Sequence, residues 1–396
     1  MFDAVPDEWH VAALAELATI KTGKTPSTKE PRYWDGGVPF VTPSDITDAT
    51  YPEQVERFLT DTGAAASTIA PAGTVLFTCI ASIGKACILA VPSSFNQQIN
   101  ACIPNPDVDS YFLFHALKAR TEHFKDMAGT TAVPIINKST FANTRMMVPP
   151  LDEQRRIAAV LRSADETITA NQAIFAQVEA LWQAMTEKLV WGLEKQNSDC
   201  VRPLGTALRG SDYGVNVPLT LETVGHPVLR MGNIQDGHID LSDLKWGEVP
   251  VIEAEALALS VGDILFNRTN SRDLVGKVAL VREPTDCLYA SYIVRLSVDR
   301  TIADPYYLFA VLHSDRTQNA LKAIATPGVS QSNINPTNLK MQHVPLPDLA
   351  TQRAIAGQLR AIEDARLVSQ QQLGALQVIR KDLTANLFSG RVRVPA

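Results

Sequence analysis

Two sets of polar residues, far apart in the chain, carry the chemistry this sequence offers. The first set is Lys24, Lys29, Arg32, Lys85 and Gln97; the second is Arg230, Asn267, Arg268, Asn270, Arg272 and Lys277. Arg and Lys can donate to O6 and N7 of guanine, Asn and Gln can pair with N6 and N7 of adenine, and nearby Ser, Thr and backbone amides suit phosphates. The surrounding segments, 21–29, 32–34, 96–98, 267–272 and 330–335, are rich in such groups and lie between short apolar runs, so they read as loops between strands. One loop of this composition is more often plain solvated surface. Two sets at matching places in the chain shift the reading towards recognition, while composition alone does not separate DNA from another polar partner. Tyr33 and Trp34 read as packing rather than as base-stacking groups.

Catalytic constellations are missing. Gly23-Lys24-Thr25 resembles the end of a phosphate-binding loop, but Ala18 stands where its first glycine is needed. Asp243-Leu244-Lys245 is a lone D-x-K, and the seven histidines form no H-E-x-x-H or paired metal spacing. Neither G-x-G-x-x-G nor G-x-S-x-G occurs, nor an Asp/Asn-Pro-Pro-Tyr/Phe run. The expectation is a non-catalytic chain with no metal and no cofactor of its own.

The elements that must position these loops occur twice. Gln154/Gln352, Ile157/Ile355, Leu161/Leu359, Leu189/Leu387 and Gly192/Gly390 share one offset of half the chain, the mark of a duplication. Before each of these stretches lies a module of short strands. Val38–Val41 answers His226–Leu229, Gly73–Phe77 answers Gly262–Phe266, and Gly84-Lys85 answers Gly276-Lys277. Asp109–Phe114 answers Asp304–Phe309 and begins a helix in each. The order is module, helix, module, helix, with boundaries at 1–150, 151–195, 196–347 and 348–396. The helices match almost without gaps; the modules match poorly.

Ile157, Leu161, Ile168, Asn171, Phe175, Trp182 and Leu189 fall on alternating steps of four and three or their multiples, a heptad seam rather than a broad stripe. The second copy repeats it at Ile355, Leu359, Ser369, Leu376 and Leu383. Asp152 suits the first turn and Gly192 a left-handed stop. A helix of this length spans about 55–60 Å. The two helices should pack on each other, either parallel or antiparallel. The polar vacancies Asn171 and Ser369 would meet near a pseudo-two-fold axis if the pair is antiparallel.

With 396 residues the chain exceeds one ordinary core. Five scattered cysteines, no C-x-x-C, no long apolar run and no leader-like N-terminal stretch point to a cytoplasmic protein with buried thiols and no membrane association. The net charge of −6 argues weakly against nucleic acid, although a local basic cleft survives within such a balance.

Val148-Pro149-Pro150-Leu151-Asp152-Glu153-Gln154-Arg155-Arg156-Ile157-Ala158, its counterpart in 344–356, and the Gly-Asp-Ile-Leu-Phe and Gly-Lys elements resemble type I restriction–modification specificity subunits, over essentially the whole chain. The resemblance implies an α+β fold with two pseudo-repeated target-recognition domains of small twisted sheets, joined by two long antiparallel coiled-coil helices. It implies a subunit that reads a bipartite, asymmetric site in double-stranded DNA and docks two modification methyltransferase subunits and restriction translocase subunits. S-adenosylmethionine, ATP and Mg would then belong to those partners. The repeated helix-entry motif shows one departure. The second copy carries two extra residues and lacks a glutamate at the place of Glu153, so partner contact is expected to differ between the two ends. The competing reading is a pseudo-two-fold assembly scaffold that binds protein and not DNA.

Overall fold

In the computed structural model, which describes residues 5–128, 133–196, 198–328 and 331–394, the chain divides into two compact units. The first comprises 1–171 with 372–396 and the second 172–371, so the division falls within both long helices. Ser330, at the start of one candidate loop, lies outside the described residues.

The first unit is built around Val75-Leu76-Phe77-Thr78, a strand buried on both faces. Side chains alternate along a strand. Val75 and Phe77 accordingly join a core with Phe112, Phe124 and Phe141, while Leu76 joins a second core with Val41 and Phe95. This strand pairs antiparallel with Ile99–Pro104 and Ala86–Ile88, and Ile99–Pro104 pairs with Ala18–Thr22. A second small sheet runs Phe58–Leu59, Trp34–Val41, Ser93–Phe95, Ile69–Ala70 and contains one parallel pair, Trp34–Val41 with Ser93–Phe95. The helix Ser110–Ala119 covers the first core, its N-terminus capped by Asp109, which accepts from the Tyr111 and Phe112 amides at 2.9 Å.

The second unit repeats the first sheet strand for strand and the second sheet with one strand fewer. Leu208–Tyr213, Ile293–Val298, Ile264–Asn267 and Val278–Leu280 form the antiparallel sheet in the same order. Lys245–Gly247, His226–Leu229 and Leu288–Tyr289 form the second sheet, again with one parallel pair. Asp304 caps Pro305–His313. The patchy sequence match between modules therefore conceals one topology.

The central long helix spans Leu151–Thr186 and the C-terminal one Leu349–Phe388. Asp152 does not cap the first. The Pro150 carbonyl takes the Glu153 and Gln154 amides at 2.9 and 3.0 Å, and Asp152 stands exposed in the first turn beside Arg155. Asp348 does cap the second, accepting the Thr351 amide at 2.9 Å. Gly192 is likewise no stop. Its φ is −60°, and the helix passes through a π turn, Glu187–Trp191, into Gly192–Gln196. That turn buries Val190 and Trp191, whose indole N–H reaches Ser314 Oγ at 3.1 Å. Packing of these two side chains outweighs the permissiveness of one glycine. Gly390, at φ +69°, does end its helix.

Within the first unit the two helices run antiparallel, since Glu153 meets Arg393 at 2.6 Å and Asp165 meets Arg380 at 3.0 Å. The second unit keeps this sense, with Glu179 against Arg366 at 3.1 Å and Trp182 in one core with Ile355 and Leu359. The seam is not uniform. Ile157, Leu161, Trp182, Ile355 and Leu359 are buried inside module cores, whereas Ile168, Phe175, Leu189, Leu376 and Leu383 are only half-buried. The helix ends thus serve as core elements of the modules. Asn171 bonds back to the Thr167 carbonyl in the first unit; Ser369 is buried in the second.

Glu153 is engaged inside its own unit. It receives Arg393 through two bonds of 2.6 and 2.7 Å and the Trp9 indole at 3.0 Å. The second copy has Thr351 at this place, which serves its own helix cap. An internal clasp accounts for the difference between copies without appeal to a partner.

In the second unit His313 lies stacked on Phe309 at 5.3 Å and edge-on to Trp182 at 5.2 Å. Burial, then the Arg366 guanidinium, push its pKa from 6.5 down to about 4. Between those values the unfolded chain binds a proton that the folded unit refuses. Stability is therefore full above pH 6.5 and falls as pH drops towards 4, by about 3 kcal/mol. Urea midpoints at pH 7 and pH 5 should show about 2 kcal/mol of this loss, and His313→Phe should flatten it; an unchanged slope in that variant would assign the loss to other groups.

Candidate nucleic-acid interface

The chain leaves the strand Ala18–Thr22 through a strap that lies flat on the end of the second sheet. Gly23 donates to the Ile99 carbonyl and Lys24 to the Phe95 carbonyl, both at 3.0 Å. A Cβ on Gly23 would stand 2.0 Å from the Asn96 oxygen, so only glycine fits this approach. Thr25 Oγ1 then donates to Gln97 Oε1 at 2.6 Å, which sets exposed Lys24 and Gln97 on one edge. Lys85 projects from the neighbouring turn, its ammonium on the Pro43 carbonyl at 2.9 Å. Lys29 and Arg32 follow on the exposed loop, with Arg32 paired to Glu30 at 3.3 Å.

The second unit has the same strap. Gly214 packs on the Tyr289 carbonyl, where a Cβ would stand 1.9 Å away, and Val215 donates to that oxygen at 2.8 Å. The groups beside it differ. Exposed Tyr213 lies under the Arg268 guanidinium at 4.9 Å, and Arg268 Nη2 donates to Asn333 Oδ1 at 3.2 Å. Pairing of Thr269–Asn270 with Ser332–Asn333 gathers Arg268, Asn270 and Asn333 on one ribbon. Arg272 is exposed on the following turn, and Lys277 reaches Gln235 at 3.2 Å.

Two candidates do not present free groups. Asn267 is fully buried in the strand Ile264–Asn267, where its side chain shares the inward face of Leu265, so it meets no base edge in this conformation. Arg230 is held by Asp243, at 2.6 Å to its carboxylate and 3.0 Å to its carbonyl. Its role is to tie the loop that precedes Lys245–Gly247. The sequence reading missed the Gly23 and Gly214 straps and the exposed ring of Tyr213.

Beneath each module a carboxylate on a long helix anchors the charges. Asp165 takes Arg380 at 3.0 Å and His115 at 3.2 Å, while Glu363 takes Arg282 at 2.6 Å and His238 at 3.4 Å. Burial works to raise both pKa values, but the histidine and arginine partners outweigh it and hold each at about 2. Gln154 and Gln352 do the same for the backbone. Each buried amide accepts from the residue that caps a module helix, Asp109 or Asp304, at 2.9 Å. Gln154 donates back to the Asp107 and Pro149 carbonyls, and Gln352 to those of Ile302 and Pro347. Among the described residues no helix is long and apolar enough to cross a membrane.

The model of the type I restriction modification DNA specificity domain matches residues 6–180 and again 219–376. A stretch of 170 residues is 33% identical to the type I restriction enzyme MjaIX specificity subunit of Methanocaldococcus jannaschii, covering 41% of this chain and 39% of that protein. The MjaVIII specificity subunit of the same organism is 22% identical over 98% of this chain and 94% of its own length. The chain thus spans less than half the length of the first curated relatives it matches, and nearly all of another. Among solved structures, the S subunit of a type I restriction-modification system from M. genitalium superposes with a TM-score of 0.62 at 15% identity, over 98% of this chain and 97% of that one. At that identity the likeness speaks for the fold alone.

Proposed function

Because the chain belongs to the type I restriction–modification DNA specificity family, we propose that it reads a bipartite, asymmetric sequence in double-stranded DNA for such a complex. One observation carries this reading. The two modules share a strap built on an obligatory glycine, yet Lys24, Thr25 and Gln97 flank one strap while Tyr213, Arg268 and Asn333 flank the other. Equal scaffolds with unequal reading groups suit two different half-sites. In this reading the long helices hold the half-sites apart and dock two modification methyltransferase subunits, with restriction translocase subunits joining the larger assembly. Methyl transfer and cleavage then belong to those partners, along with S-adenosylmethionine, ATP and Mg, and the chain itself is not an enzyme.

The test is DNA binding by the assembled complex. Arg268→Ala is expected to change base preference at one position, by about 1–3 kcal/mol if a bidentate base contact is lost. Arg272→Ala, at an exposed turn, is expected to weaken all sequences alike and to flatten the dependence on salt by about one counterion. No change in either variant would remove the second reading face. Mapping of methylated sites in a host carrying the chain and its modification partner should return two different short motifs at fixed separation, and a palindrome would contradict the two-reader scheme.

A further inference from the structure

The helix starts carry a repeated surface feature that the folding of the modules does not require. In the first unit an open notch of about 280 Å³ lies between the module helix and the central helix, lined by Asp109, Arg155, Arg162 and Glu166. In the second unit a notch of about 340 Å³ shares three of the corresponding residues, Asp304, Arg360 and Asp364, and extends from them towards the sheet at Leu280 and Arg282. The Arg162 guanidinium lies over the Tyr111 ring at 4.7 Å, and Arg360 lies over Tyr306 at 4.7 Å.

Buried positions along this stretch repeat because both cores need them, as with Gln154/Gln352, Ile157/Ile355 and Leu161/Leu359. Outward positions are free of that demand, and many have changed: Arg156/Ala354, Val160/Gln358, Ser163/Ala361, Thr167/Ala365. Three exposed pairs keep their charge: Arg155/Arg353, Arg162/Arg360 and Glu166/Asp364. Their spacing of seven and then four residues puts them on one helix face. Stacking on tyrosine accounts for Arg162 and Arg360 but not for the other four. Arg155 pairs with Asp152 at 3.4 Å, yet the second copy has Ala350 at that place and retains Arg353.

We propose that each notch is a docking site for a protein surface that presents a carboxylate to the stacked arginine, and that the two notches hold two copies of one partner. The mixed row of charges decides between occupants. Glu166 and Asp364 at the rim would repel a phosphate backbone, whereas a protein face of alternating sign complements both arginines and the acid. A guanidinium already resting on a ring loses less freedom when it binds a carboxylate bidentately. This inference rests on the assembly reading above and names the residues at which a modification subunit attaches.

Native mass spectrometry of the full chain co-purified with its modification subunit would count the copies bound. Arg162→Glu and Arg360→Glu should each reduce two copies to one, and the double variant should retain none. Arg155→Glu and Arg353→Glu touch no ring, so they test the surface without disturbing the stack; each should weaken one site about tenfold. Two copies retained in all of these variants would overturn the proposal. So would intact stoichiometry with weaker, less salt-dependent DNA binding, which would make phosphate the occupant. If the unaltered chain bound no modification subunit, the assembly reading itself would fall, a result distinct from persistence of both copies in the variants.

Discussion

A Gly23→Ala chain is expected to lose recognition through its first module, with DNA affinity of the assembled complex down about a hundredfold or more and the strap around 20–26 open to hydrogen exchange. The cause is steric and local. The new Cβ would stand 2.0 Å from the Asn96 oxygen and 2.5 Å from the Phe95 oxygen, both backbone atoms that cannot swing aside. Relief requires the strap to lift by more than 1 Å, roughly the overlap to be removed, which breaks the Lys24–Phe95 bond and parts Thr25 from Gln97. Such a displacement costs about 3 kcal/mol or more, while the sheet below remains. Gly214→Ala should do the same to the second module, because its Cβ would stand 1.9 Å from the Tyr289 oxygen. Gly37 and Gly232 meet nothing within 4 Å of an added Cβ, so alanine there is expected to change stability by no more than about 0.5 kcal/mol. Unaltered exchange and affinity in Gly23→Ala would show that the strap does not position the reading edge.

That strap also shows where sequence reading stops. The helices were legible because each buried position is fixed by a repeating step, and a repeat with one offset can be aligned by eye. The modules share the order of their antiparallel sheet just as faithfully, but the correspondence is hidden by one residue. From Leu14 to Gly23 the first copy is one residue shorter than the second from Leu204 to Gly214, and the β-bulge at Leu208/Gly210 absorbs the difference. An ungapped comparison loses register there, and with it the pairing of the two glycines. Loop composition picks out polar segments but does not rank their members, and Asn267, Thr269–Asn270 and Ser332–Asn333 within them are strand. Asn267 and Arg268 are neighbours that could both meet a base edge, yet strand alternation buries the first and leaves the second on the ribbon beside Tyr213. Arg230 is unreadable for another reason, since its partner Asp243 lies in a loop whose path depends on the sheet. Helix ends were misjudged where local signals compete with packing: Gly192 yields to buried Val190 and Trp191, while Gly390, pressed against Pro6, keeps its left-handed turn.

Glu363→Ala is expected to cost the second unit about 2–3 kcal/mol, for the loss of a buried carboxylate hydrogen-bonded to partners that keep some access to water. Glu363 is 4% exposed at its side chain and holds Arg282 at 2.6 Å and His238 at 3.4 Å, so deletion leaves a void behind two partners that are themselves about a quarter exposed, and the buried carboxylate is what is lost. Asp165, its counterpart, is 24% exposed. Water can reach Arg380 when that carboxylate is gone, and Asp165→Ala should cost less, about 1–2 kcal/mol. Acid supplies an independent check. Both carboxyls have folded pKa values near 2, below the 4.5 and 3.8 of the free groups, so their stabilisation is complete above those values and is lost as pH falls through about 2. Glu363→Gln keeps the volume and one acceptor while removing the charge. It should fall between wild type and Glu363→Ala near neutral pH and should lose this acid-dependent share. Urea unfolding of the three variants would order them, and an Asp165→Ala penalty equal to that of Glu363→Ala would mean that burial of the carboxylate is not what sets its worth.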